Sequence, residues 1–424
     1  MKVAIIGLGY VGLPLSILLA KLGYSVFGVD NNLEKIKYLK KGQLPFAQEE
    51  PKLKNFFEKI SKKRRISFGN DFKKCKESEL VFIAVDTPMK NRTPNYKSLV
   101  SAISGVAQNL KKGSIVIIES TLSPKTTKNI IIPLIEKKSG FELNKDFFIA
   151  VVPERIRPNH IFEQLMSLSR VIGVSDDRII PRLKKMYSKI TSGDLDFVDL
   201  TTAEVVKTVE NAFRDVNIAF ANEIAMACEN LGVNVWKTRE LVNKSPFHNL
   251  HSPGSGVGGH CIPKDPWLLI SSVKNTLMPI TKSARKINDS MPLHVFNLMK
   301  EAFIEKNIFS KKAKIAILGY SYVVDSDDTR NSPTESFVKV LRKNNIKFKI
   351  HDPFIKEFRK FNIDQVISGA DAIVIMVAHS AFNNLNLSKI SKLMRTKIII
   401  DGRNMISKEK AQAVSFLCKG IGNV

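Results

Sequence analysis

Near its start the chain reads Lys-Val-Ala-Ile-Ile-Gly-Leu-Gly-Tyr-Val-Gly at residues 2–12. The apolar run from Val3 to Ile6 is typical of a buried parallel strand, and the apolar spacing after Gly12 is typical of a helix. A Gly-x-Gly-x-x-Gly sequence between a strand and a helix predicts a turn that binds the pyrophosphate of a dinucleotide. A strand–helix turn without a cofactor is the alternative.

Each glycine of this turn has its own expected use. Gly7 permits the tight turn, Gly9 lets the backbone approach the pyrophosphate, and Gly12 allows the helix to pack closely on the strand. Tyr10 and Val11 lie between these glycines, and we expect them to contact the same cofactor.

The second apolar segment, Ser25-Val-Phe-Gly-Val, ends in Asp30, roughly 20 residues after the glycines. A carboxylate at that point can accept hydrogen bonds from the adenosine ribose. It also repels the 2′-phosphate of NADP, so NAD is the expected cofactor.

Further apolar runs alternate with helical or loop sequence at Leu80–Val85, Ile115–Ile118, Phe147–Val152 and Arg170–Val174. This alternation predicts a doubly wound parallel sheet, in which ligands gather at the carboxyl ends of the strands. Three of these strands are followed by Asp86-Thr87-Pro88, Glu119-Ser120-Thr121 and Pro153-Glu154-Arg155. We expect Thr87, Pro88, Thr121 and Glu154 to contact the cofactor and Arg155 to contact the substrate. Turn or helix-cap roles are the alternative for each of them.

A long helix is predicted from Thr201 to about Leu231, where Gly232 ends it. Thr201-Thr202-Ala203-Glu204 has capping-box spacing, and a helix of about 30 residues would be roughly 45 Å long. Lys207 and Asn211 lie four residues apart and therefore share one face, with Arg214 nearby. Because their neighbours are apolar nearly all round, we expect a mostly buried helix whose polar stripe needs a partner. A solvated polar stripe is the alternative.

Cys261 lies in the stretch Pro-Gly-Ser-Gly-Val-Gly-Gly-His-Cys-Ile-Pro-Lys-Asp-Pro-Trp at residues 253–267. Its glycines allow positive φ and a close approach to a ligand; they are Gly254, Gly256, Gly258 and Gly259. Lys264 and Asp265 follow the cysteine, so a cation and a proton acceptor can lie near the sulfur if the segment turns or begins a helix. These are the components of thiolate catalysis. A surface loop with an incidental cysteine is the alternative.

The strand-to-glycine pattern recurs at Lys314-Ile-Ala-Ile-Leu-Gly, with further strands at Phe348–His351, Ala372–Val377 and Lys397–Ile400. This predicts a second α/β domain without a full dinucleotide motif. Arg330 and Arg403 follow its strands and could hold a phosphate or carboxylate, with surface ion pairing as the alternative. The expected fold is α/β, with two Rossmann-like doubly wound parallel-sheet domains joined by a long central helix. The expected domains are 1–193 for NAD, 194–305 for the central helical region, and 306–424 for the second α/β domain.

The composition limits the partners and the compartment. Lys+Arg 66 against Asp+Glu 40 gives a net charge of +26, but the basic residues are dispersed and match no nucleic-acid motif, so no nucleic-acid partner is expected. The four cysteines lie far apart, which indicates neither disulfides nor a metal site. We find no apolar run long enough for a membrane helix and no leader pattern, so we expect a cytoplasmic protein.

Three segments together resemble the nucleotide-sugar (UDP-glucose/GDP-mannose) 6-dehydrogenase family over nearly the whole chain. They are Gly-Leu-Gly-Tyr-Val-Gly-Leu-Pro at 7–14, Glu-Asn-Ala-Phe-Arg-Asp-Val-Asn-Ile-Ala at 210–219 and Gly-Val-Gly-Gly-His-Cys-Ile-Pro at 256–263. The His260-Cys261 pair and the Pro153-Glu-Arg sequence look like the branch that acts on UDP-N-acetylmannosamine or UDP-N-acetylglucosamine. Enzymes for UDP-glucose more often carry serine before the cysteine.

The resemblance implies two successive NAD-dependent oxidations of the sugar C6 alcohol to a carboxylate, with Cys261 carrying a thiohemiacetal and then a thioester. It further implies that Lys207 and Asn211 stabilise an oxyanion or hold water, that Asp265 orients water or accepts protons, and that Glu154 assists hydrolysis. Arg214, Lys264 and the glycines of the Cys261 stretch would hold the UDP-sugar, together with Arg330 and Arg403. A homodimer formed through the central helix is also implied.

This chain departs from the family in three places. Ser245-Pro-Phe-His-Asn lacks the arginine that can reach a partner subunit's substrate, Tyr322-Val-Val lacks a lysine, and Arg157-Pro-Asn replaces a Pro-Gly ending. The first two departures put a cross-subunit substrate contact and one UDP contact in doubt.

Several other functions remain open. UDP-glucose 6-dehydrogenase is one alternative, because recognition of an acetamido sugar depends on the shape of the pocket. A one-step β-hydroxyacid-type dehydrogenase would share the first domain and the helical Lys/Asn pair, but it needs neither Cys261 nor residues 314–424. A basic NAD-sensing or nucleic-acid-binding protein is the non-enzyme alternative.

Overall fold

The computed structural model describes residues 1–44, 51–61, 65–155, 161–309 and 312–423. The chain divides into two compact units, Met1–Glu210 with Trp267–Asn275 and Asn211–Pro266 with Thr276–Val424. Each unit is built on one main sheet, and a long helix begins in the first unit and continues into the second. The predicted α/β class with two sheets and a long helix is therefore confirmed. The finer division at 1–193, 194–305 and 306–424 remains a proposal.

The first unit contains an eight-stranded sheet and a two-stranded hairpin. The strands are β1 (Lys2–Ile6), β2 (Ser25–Val29), β3 (Ile66–Gly69), β4 (Leu80–Ile83), β5 (Met89–Lys90), β6 (Thr93–Pro94), β7 (Ser114–Ile118), β8 (Phe147–Val151), β9 (Arg170–Val174) and β10 (Leu195–Asp199). The sheet order is β10-β9-β8-β7-β4-β1-β2-β3, and β5 pairs with β6. All neighbours in the large sheet are parallel except β8 and β9, which pair antiparallel over two residue pairs.

Helices of the first unit connect these strands. They are α1 (Gly12–Lys21), α2 (Leu33–Lys40), α3 (Pro51–Ser61), α4 (Lys97–Ala107), α5 (Ile132–Ser139), α6 (Ile161–Ser167) and α7 (Ile180–Ile190). Helix α8 (Leu200–Leu231) then runs on into the second unit. Side chains of β1 alternate between the two faces of the sheet, Val3 and Ile5 into one apolar cluster and Ala4 and Ile6 into the other. A strand buried on both faces explains why its sequence is continuously apolar.

The second unit contains a five-stranded, wholly parallel sheet in the order β12-β11-β13-β14-β15. Its helices and strands, with α10 shared between the units, are α9 (Val235–Val242), α10 (Asp265–Ser272), α11 (Pro279–Glu305), β11 (Lys314–Leu318), α12 (Pro333–Lys343), β12 (Lys347–His351), α13 (Ile363–Ile367), β13 (Ala372–Ile375), α14 (Leu387–Leu393), β14 (Ile398–Asp401), α15 (Lys408–Gln412) and β15 (Leu417–Gly420). The strands expected at Phe348–His351, Ala372–Val377 and Lys397–Ile400 are therefore present with slightly different ends.

The start of the second sheet repeats the start of the first. Gly319 after β11 has φ +89°, close to the +93° of Gly7 after β1. Asp352, after the second strand of this sheet, accepts the backbone N–H groups of Tyr320 and Ser321 at 2.7 and 3.1 Å. Unlike the first turn, this one leads through a long loop, residues 319–332, before α12 begins.

Helix α8 ends at Leu231 as expected, and Gly232 follows with φ +68°. Most residues of α8 are buried or half-buried, but the helix is not covered all round in the single chain, because Phe213 and Phe220 are 66% and 54% exposed. Its buried face carries polar groups: Lys207 is buried, and Asp215 is fully enclosed. Among the described residues, no helix is long and apolar enough to cross a membrane.

Gly12 is a position where the first turn tolerates no side chain. A Cβ at Gly12 would lie 1.9 Å from the carbonyl oxygen of Gly7, whereas a Cβ at Gly9 would meet no heavy atom within 4 Å. We expect Gly12→Ala to destabilise the protein by about 1–3 kcal/mol or more, because backbone atoms must move. Thermal unfolding without cofactor, with Gly9→Ala as the control, measures the difference. Equal melting temperatures for the two variants would contradict this account of the turn.

Candidate functional site

The glycine turn of the first unit has the geometry of a phosphate-binding loop. Gly7 adopts positive φ, and a Cβ there would lie 2.4 Å from the Ala84 carbonyl oxygen, so only glycine fits. Gly9 accepts the Leu13 N–H at 3.2 Å, where α1 begins, and its own outer side is open. Val11 is the N-cap residue of α1, and Tyr10 is 40% exposed beside it. The N–H groups at this helix end can receive a pyrophosphate.

Asp30 is more heavily bonded than the sequence suggests. Its Oδ2 accepts the Leu8 N–H at 2.9 Å and the Lys35 ammonium at 2.8 Å, and its Oδ1 accepts the Asn32 N–H at 2.9 Å. A carboxylate has about four acceptor positions, so room remains for one ribose hydroxyl. Asp30 therefore both shapes the turn and can still receive a ribose, which fits a dinucleotide.

Loops that follow β4 and β7 are hydrogen-bonded into one wall. Thr87 donates its hydroxyl to the Thr121 carbonyl at 2.7 Å, and Ser120 donates its hydroxyl to the Val85 carbonyl at 2.7 Å. Thr87 is 2% exposed, whereas Pro88 is exposed. The predicted cofactor residues Thr87 and Thr121 thus lie together, although the Thr87 proton is already donated within the wall.

Glu204 on α8 fastens this wall to the long helix. Its carboxylate accepts the Lys125 N–H at 2.6 Å, the Thr127 N–H at 2.9 Å and the Thr127 hydroxyl at 2.6 Å. The predicted capping box is therefore wrong, because Glu204 bonds to a distant loop, while Asp199 accepts the Thr201 N–H at 2.9 Å. The donors of Lys125 and Thr127 are better placed for the buried Glu204 carboxylate than the N–H groups at the start of its own helix. Lys207, one turn further along α8, is 9% exposed.

Glu154 is held in a buried ion pair. The Arg170 guanidinium donates to Glu154 Oε2 at 2.9 Å, and the Arg155 N–H donates to Glu154 Oε1 at 2.6 Å. Arg155, predicted to bind substrate, has its guanidinium 2.6 Å from Glu210 on α8. The departure at Arg157-Pro-Asn lies outside the described residues.

Behind Glu154 lies a second carboxyl, Glu119, that is 3% exposed. Tyr187 donates its hydroxyl to Glu119 Oε1 at 3.0 Å, and Oε2 has no hydrogen-bond partner among the described residues. Burial first and the charge of Glu154 second raise the pKa of Glu119 to about 8, against the opposing effects of Arg170 and Tyr187. Glu119 is therefore protonated and neutral near neutral pH. The positive charge of Arg170 is then balanced by the Glu154 carboxylate alone. The sequence places Glu119 on the cofactor wall, whereas its side chain points into the interior.

In the second unit, the cysteine loop, residues 253–264, packs without room for side chains at its glycines. A Cβ at Gly254 would lie 2.4 Å from an Arg403 nitrogen, and one at Gly256 would lie 3.1 Å from Pro333. Cβ atoms at Gly258 and Gly259 would lie 2.5 and 2.6 Å from Tyr322. Gly258 and Gly259, expected to admit a ligand, are therefore also required by contacts within the unit. Gly256 is favoured by its φ of +123°, and the contact at Gly254 is with the movable end of the Arg403 side chain.

Cys261 is exposed at the end of this loop. The segment turns and begins α10, as its carbonyl accepts the Lys264 and Asp265 N–H groups at 3.1 and 2.8 Å. Asp265 is fully buried; its Oδ2 accepts the Asn211 amide at 2.5 Å, and its Oδ1 lies 3.4 Å from the Lys264 ammonium. Asn211, Lys264 and Asp265 are thus brought together beside the cysteine segment. This arrangement can orient water and stabilise an oxyanion near a thiolate.

The two arginines predicted at strand ends differ in their surroundings. Arg330 donates to Asp328 at 3.0 Å, so its guanidinium already has a carboxylate. Arg403 donates to the Met376 carbonyl at 2.9 Å, and no carboxylate of the described chain lies within ion-pair distance of it. Burial lowers the pKa of Arg403 to about 10 despite the charge of Asp401. Arg403 is therefore the better anion site, and it lies against Gly254.

Arg214 contributes to the charge around His251. Burial first, then Arg214 and Arg239, lower the pKa of His251. Ser245–Asn249 carry no arginine, and Phe247 within them is 90% exposed.

Sequence reasoning missed several residues that hold the site. Asn222 accepts the Gly254 N–H at 2.9 Å, and Asn331 donates its amide to the Gly259 carbonyl at 3.0 Å. Arg170 and Tyr187 support Glu154 and Glu119. A basic residue inside an apolar strand was the available signal for Arg170, but nothing in the local pattern marks Asn222 or Asn331. Within the described chain, no cluster of His, Cys, Asp and Glu could hold a metal ion.

Three family models match the chain in order. They are described as the UDP-glucose/GDP-mannose dehydrogenase family NAD binding domain over residues 1–191, central domain over 201–290 and UDP binding domain over 316–408. The UDP-N-acetyl-D-mannosamine dehydrogenase of Pyrococcus horikoshii is 40% identical over 422 residues, covering 100% of this chain and 99% of that protein.

Solved structures agree with this match. The UDP-D-ManNAc dehydrogenase of Pyrococcus horikoshii superposes with a TM-score of 0.95 at 39% identity, covering 100% of this chain and 99% of that one. The NDP-N-acetyl-D-galactosaminuronic acid dehydrogenase of Methanosarcina mazei superposes with a TM-score of 0.90 at 32% identity, covering 100% and 95%.

The buried Glu119 should make stability depend on pH. Between about pH 4.5 and pH 8 the unfolded chain has lost this proton while the folded protein keeps it, so the free energy of unfolding falls as pH rises. We expect Glu119→Gln to remove a slope of up to roughly 1.4 kcal/mol per pH unit across that window. Urea unfolding at pH 5, 6.5 and 8 measures it, with exposed Glu34→Gln as the control. Equal slopes for wild type and Glu119→Gln would show that Glu119 is ionised in the folded protein.

Proposed function

Because this chain belongs to the UDP-glucose/GDP-mannose dehydrogenase family, we propose that it oxidises the C6 alcohol of UDP-N-acetyl-D-mannosamine to the carboxylate. It is an NAD-dependent oxidoreductase of UDP-sugars. The observation that carries the proposed mechanism is the exposed Cys261 whose segment leads into a buried Asp265 held by Asn211.

The first unit supplies the cofactor site in this proposal. The N–H groups at the start of α1 would hold the pyrophosphate, and the remaining acceptor position of Asp30 would hold the ribose. Gly7, Gly9, Tyr10, Val11 and Gly12 form that turn. Thr87, Pro88, Thr121 and Glu154 would line the remainder of the site. When bound, NAD⁺ supplies the two-electron acceptor for each of the two oxidations.

The chain's own residues would carry the sugar through the reaction. The Cys261 thiolate adds to the C6 aldehyde carbon and forms a thiohemiacetal, and its oxidation leaves a thioester on the same sulfur. Water then adds to the thioester carbon, the C–S bond breaks, and the carboxylate leaves while the thiolate is restored. Asp265, held by Asn211, would orient that water and accept its proton, with assistance from Glu154.

Negative charge develops on the sugar oxygen in each addition. The Lys207 ammonium and the Asn211 amide are suited to stabilise it. Arg403, which has no carboxylate partner in the described chain, would take a phosphate of the UDP group. Lys264, Arg214 and Arg330 of the same unit would contribute positive charge, and Arg155 is the substrate contact proposed for the first unit.

The choice of sugar rests on the relatives. The similar protein of Pyrococcus horikoshii is named for UDP-N-acetyl-D-mannosamine, and His260-Cys261 agrees with that branch. The structural neighbour of Methanosarcina mazei is named for NDP-N-acetyl-D-galactosaminuronic acid, so a different hexosamine epimer is the second candidate. UDP-N-acetyl-D-glucosamine and UDP-glucose complete the alternatives.

We expect two NADH per UDP-N-acetylmannosamine, because both oxidations occur before release. Cys261→Ser should abolish formation of the uronate, since a serine alkoxide is not available at neutral pH. Cys418→Ser, which alters a partly buried cysteine of β15, is the matched control. NADH absorbance and mass spectrometry of the sugar measure both results, with UDP-N-acetylglucosamine and UDP-glucose in parallel. One NADH per sugar with free aldehyde would exclude the thioester route.

We propose a homodimer that buries one face of α8. Val209, Phe213 and Phe220 lie along that face and are 44%, 66% and 54% exposed. A second copy of this chain is the partner that we propose to cover this exposed apolar face, as in a symmetric homodimer. We also assign the protein to the cytoplasm, where the thiol of Cys261 would stay reduced.

The dimer has a direct test. Phe213→Asp should convert dimers to monomers, because it places a charge in the apolar contact. Phe309→Asp, at a residue 81% exposed after α11, is the control. Sedimentation velocity measures the masses. A monomeric wild type, or a Phe213→Asp variant that still dimerises, would refute the α8 interface.

A further inference from the structure

His379 is a fully buried histidine of the second unit that the proposed reaction does not use. It follows β13, between the rings of Phe354 and Phe382, whose centroids lie 5.0 and 5.5 Å from its own. Both ring nitrogens of His379 have partners from other segments. A polar ring so enclosed must satisfy both nitrogens, so its contacts are specific.

The hydrogen bonds assign the tautomer of His379. The Asp325 N–H donates to Nδ1 at 2.9 Å, so Nδ1 carries no proton. Nε2 lies 3.0 Å from Asp352 Oδ2, to which it donates. The Ser321 hydroxyl donates to the Val323 carbonyl at 2.7 Å and therefore presents only an acceptor to Nε2, at 3.4 Å. These hydrogen bonds together place the proton on Nε2, and the Asp325 carboxylate, 3.6 Å from Nδ1, lies beyond hydrogen-bond distance.

Asp352 is a firm anchor for this ring. Besides His379 it accepts the Tyr320 and Ser321 N–H groups through Oδ2 and the Phe354 N–H through Oδ1. Burial alone would raise its pKa, yet the His379 bond and these backbone bonds lower it to about 2. The carboxylate therefore stays ionised and fixes Nε2, which leaves Nδ1 pointing at Asp325.

Nδ1 in turn fixes the middle of the buttress loop, residues 319–332. Asp325 has φ +54°, a conformation that non-glycine residues adopt only when surrounding contacts maintain it. The same residue accepts the Ser380 N–H through Oδ1 at 2.9 Å. His379 and Ser380 together thus hold Asp325, three residues after Tyr322.

The buttress loop supports the cysteine loop through three contacts. The Arg330 carbonyl accepts the Gly259 N–H at 2.8 Å, and the Asn331 amide donates to the Gly259 carbonyl at 3.0 Å. The Tyr322 ring occupies the space where a Cβ of Gly259 would lie. Gly259 is two residues before Cys261, so the conformation of the cysteine segment follows that of the buttress loop.

We propose that His379 is a positioning residue for Cys261, acting through Asp325 and the buttress loop on Gly259. It does not touch the substrate or the sulfur. The inference rests on the proposed role of Cys261, but the contacts that carry it lie wholly within the second unit.

Two variants separate the two nitrogens of His379. His379→Asn keeps an acceptor near the Nδ1 position and loses the Asp352 contact, whereas His379→Gln keeps a donor near Nε2 and loses the Asp325 contact. We expect His379→Gln to lower kcat for UDP-sugar oxidation by roughly 10- to 100-fold, the scale of a displacement of about 1 Å. His379→Asn should stay within roughly threefold of wild type, because the bond to the buttress loop survives.

Hydrogen exchange provides a readout that needs no turnover. Peptides covering residues 253–262 and 320–331 should exchange faster in His379→Gln and as in wild type in His379→Asn, while peptides of β14 stay unchanged in both. If neither variant alters exchange in 253–262, or if both alter it equally, the proposal is overturned. If the wild-type protein oxidises no UDP-sugar, the proposed function is refuted, but the hydrogen-exchange test of His379 can still be carried out.

Asn331→Gly tests the last contact without disturbing the buried ring. Asn331 is exposed with φ +48°, which glycine adopts freely, so this variant should fold even where a His379 variant does not. We expect faster exchange in 253–262 and a lower kcat, with residues 320–328 still protected. If hydrogen exchange and kcat are both unchanged, the buttress loop does not control the conformation around Cys261, and the proposal is refuted.

Discussion

A carboxylate that accepts the N–H groups of a glycine turn shapes both sheets of this protein. Asp30 bonds to Leu8 after β1, and Asp352 bonds to Tyr320 and Ser321 after β11. N–H groups in such a turn have no strand partner, so a buried anion stabilises them strongly. In the first unit this carboxylate keeps one acceptor position open, and a ribose can use it. In the second unit His379 donates to the oxygen that bonds the turn, as Lys35 does in the first unit, and the carboxylate serves to hold a loop.

Buried polar residues therefore position the site more than its apolar core does. Glu204 joins α8 to the wall that carries Thr121, and Arg170 holds Glu154. Each of these charges has lost its hydration, and only well-directed hydrogen bonds compensate for that loss. Such networks have few alternative arrangements, so they fix side-chain positions within a narrow range.

Local sequence predicted the elements better than the contacts between them. The turn at Gly7, the end of α8 at Leu231 and the second parallel sheet were all predicted, because each depends on nearby residues. The role of Glu204 was mispredicted, since its spacing also fits a capping box. The burial of Glu119 and the exposure of Phe213 were missed for a related reason: a pattern gives the face of an element, but not what covers that face.

The sequence by itself determined the α/β class, the NAD-type turn and the family, because glycine spacing and apolar periodicity are properties of neighbouring residues. It also identified Cys261, Asn211 and Asp265 as candidates for the chemistry. Only the tertiary structure decided that Asn211 holds Asp265, that Arg403 lacks a carboxylate partner in the described chain while Arg330 has one, and that His379 reaches Gly259 through the buttress loop. Apart from Arg330 and Asp328, which are two positions apart, the cited hydrogen bonds join residues 27 to 54 positions apart. The direction of a buried hydrogen bond follows from packing that local sequence does not contain.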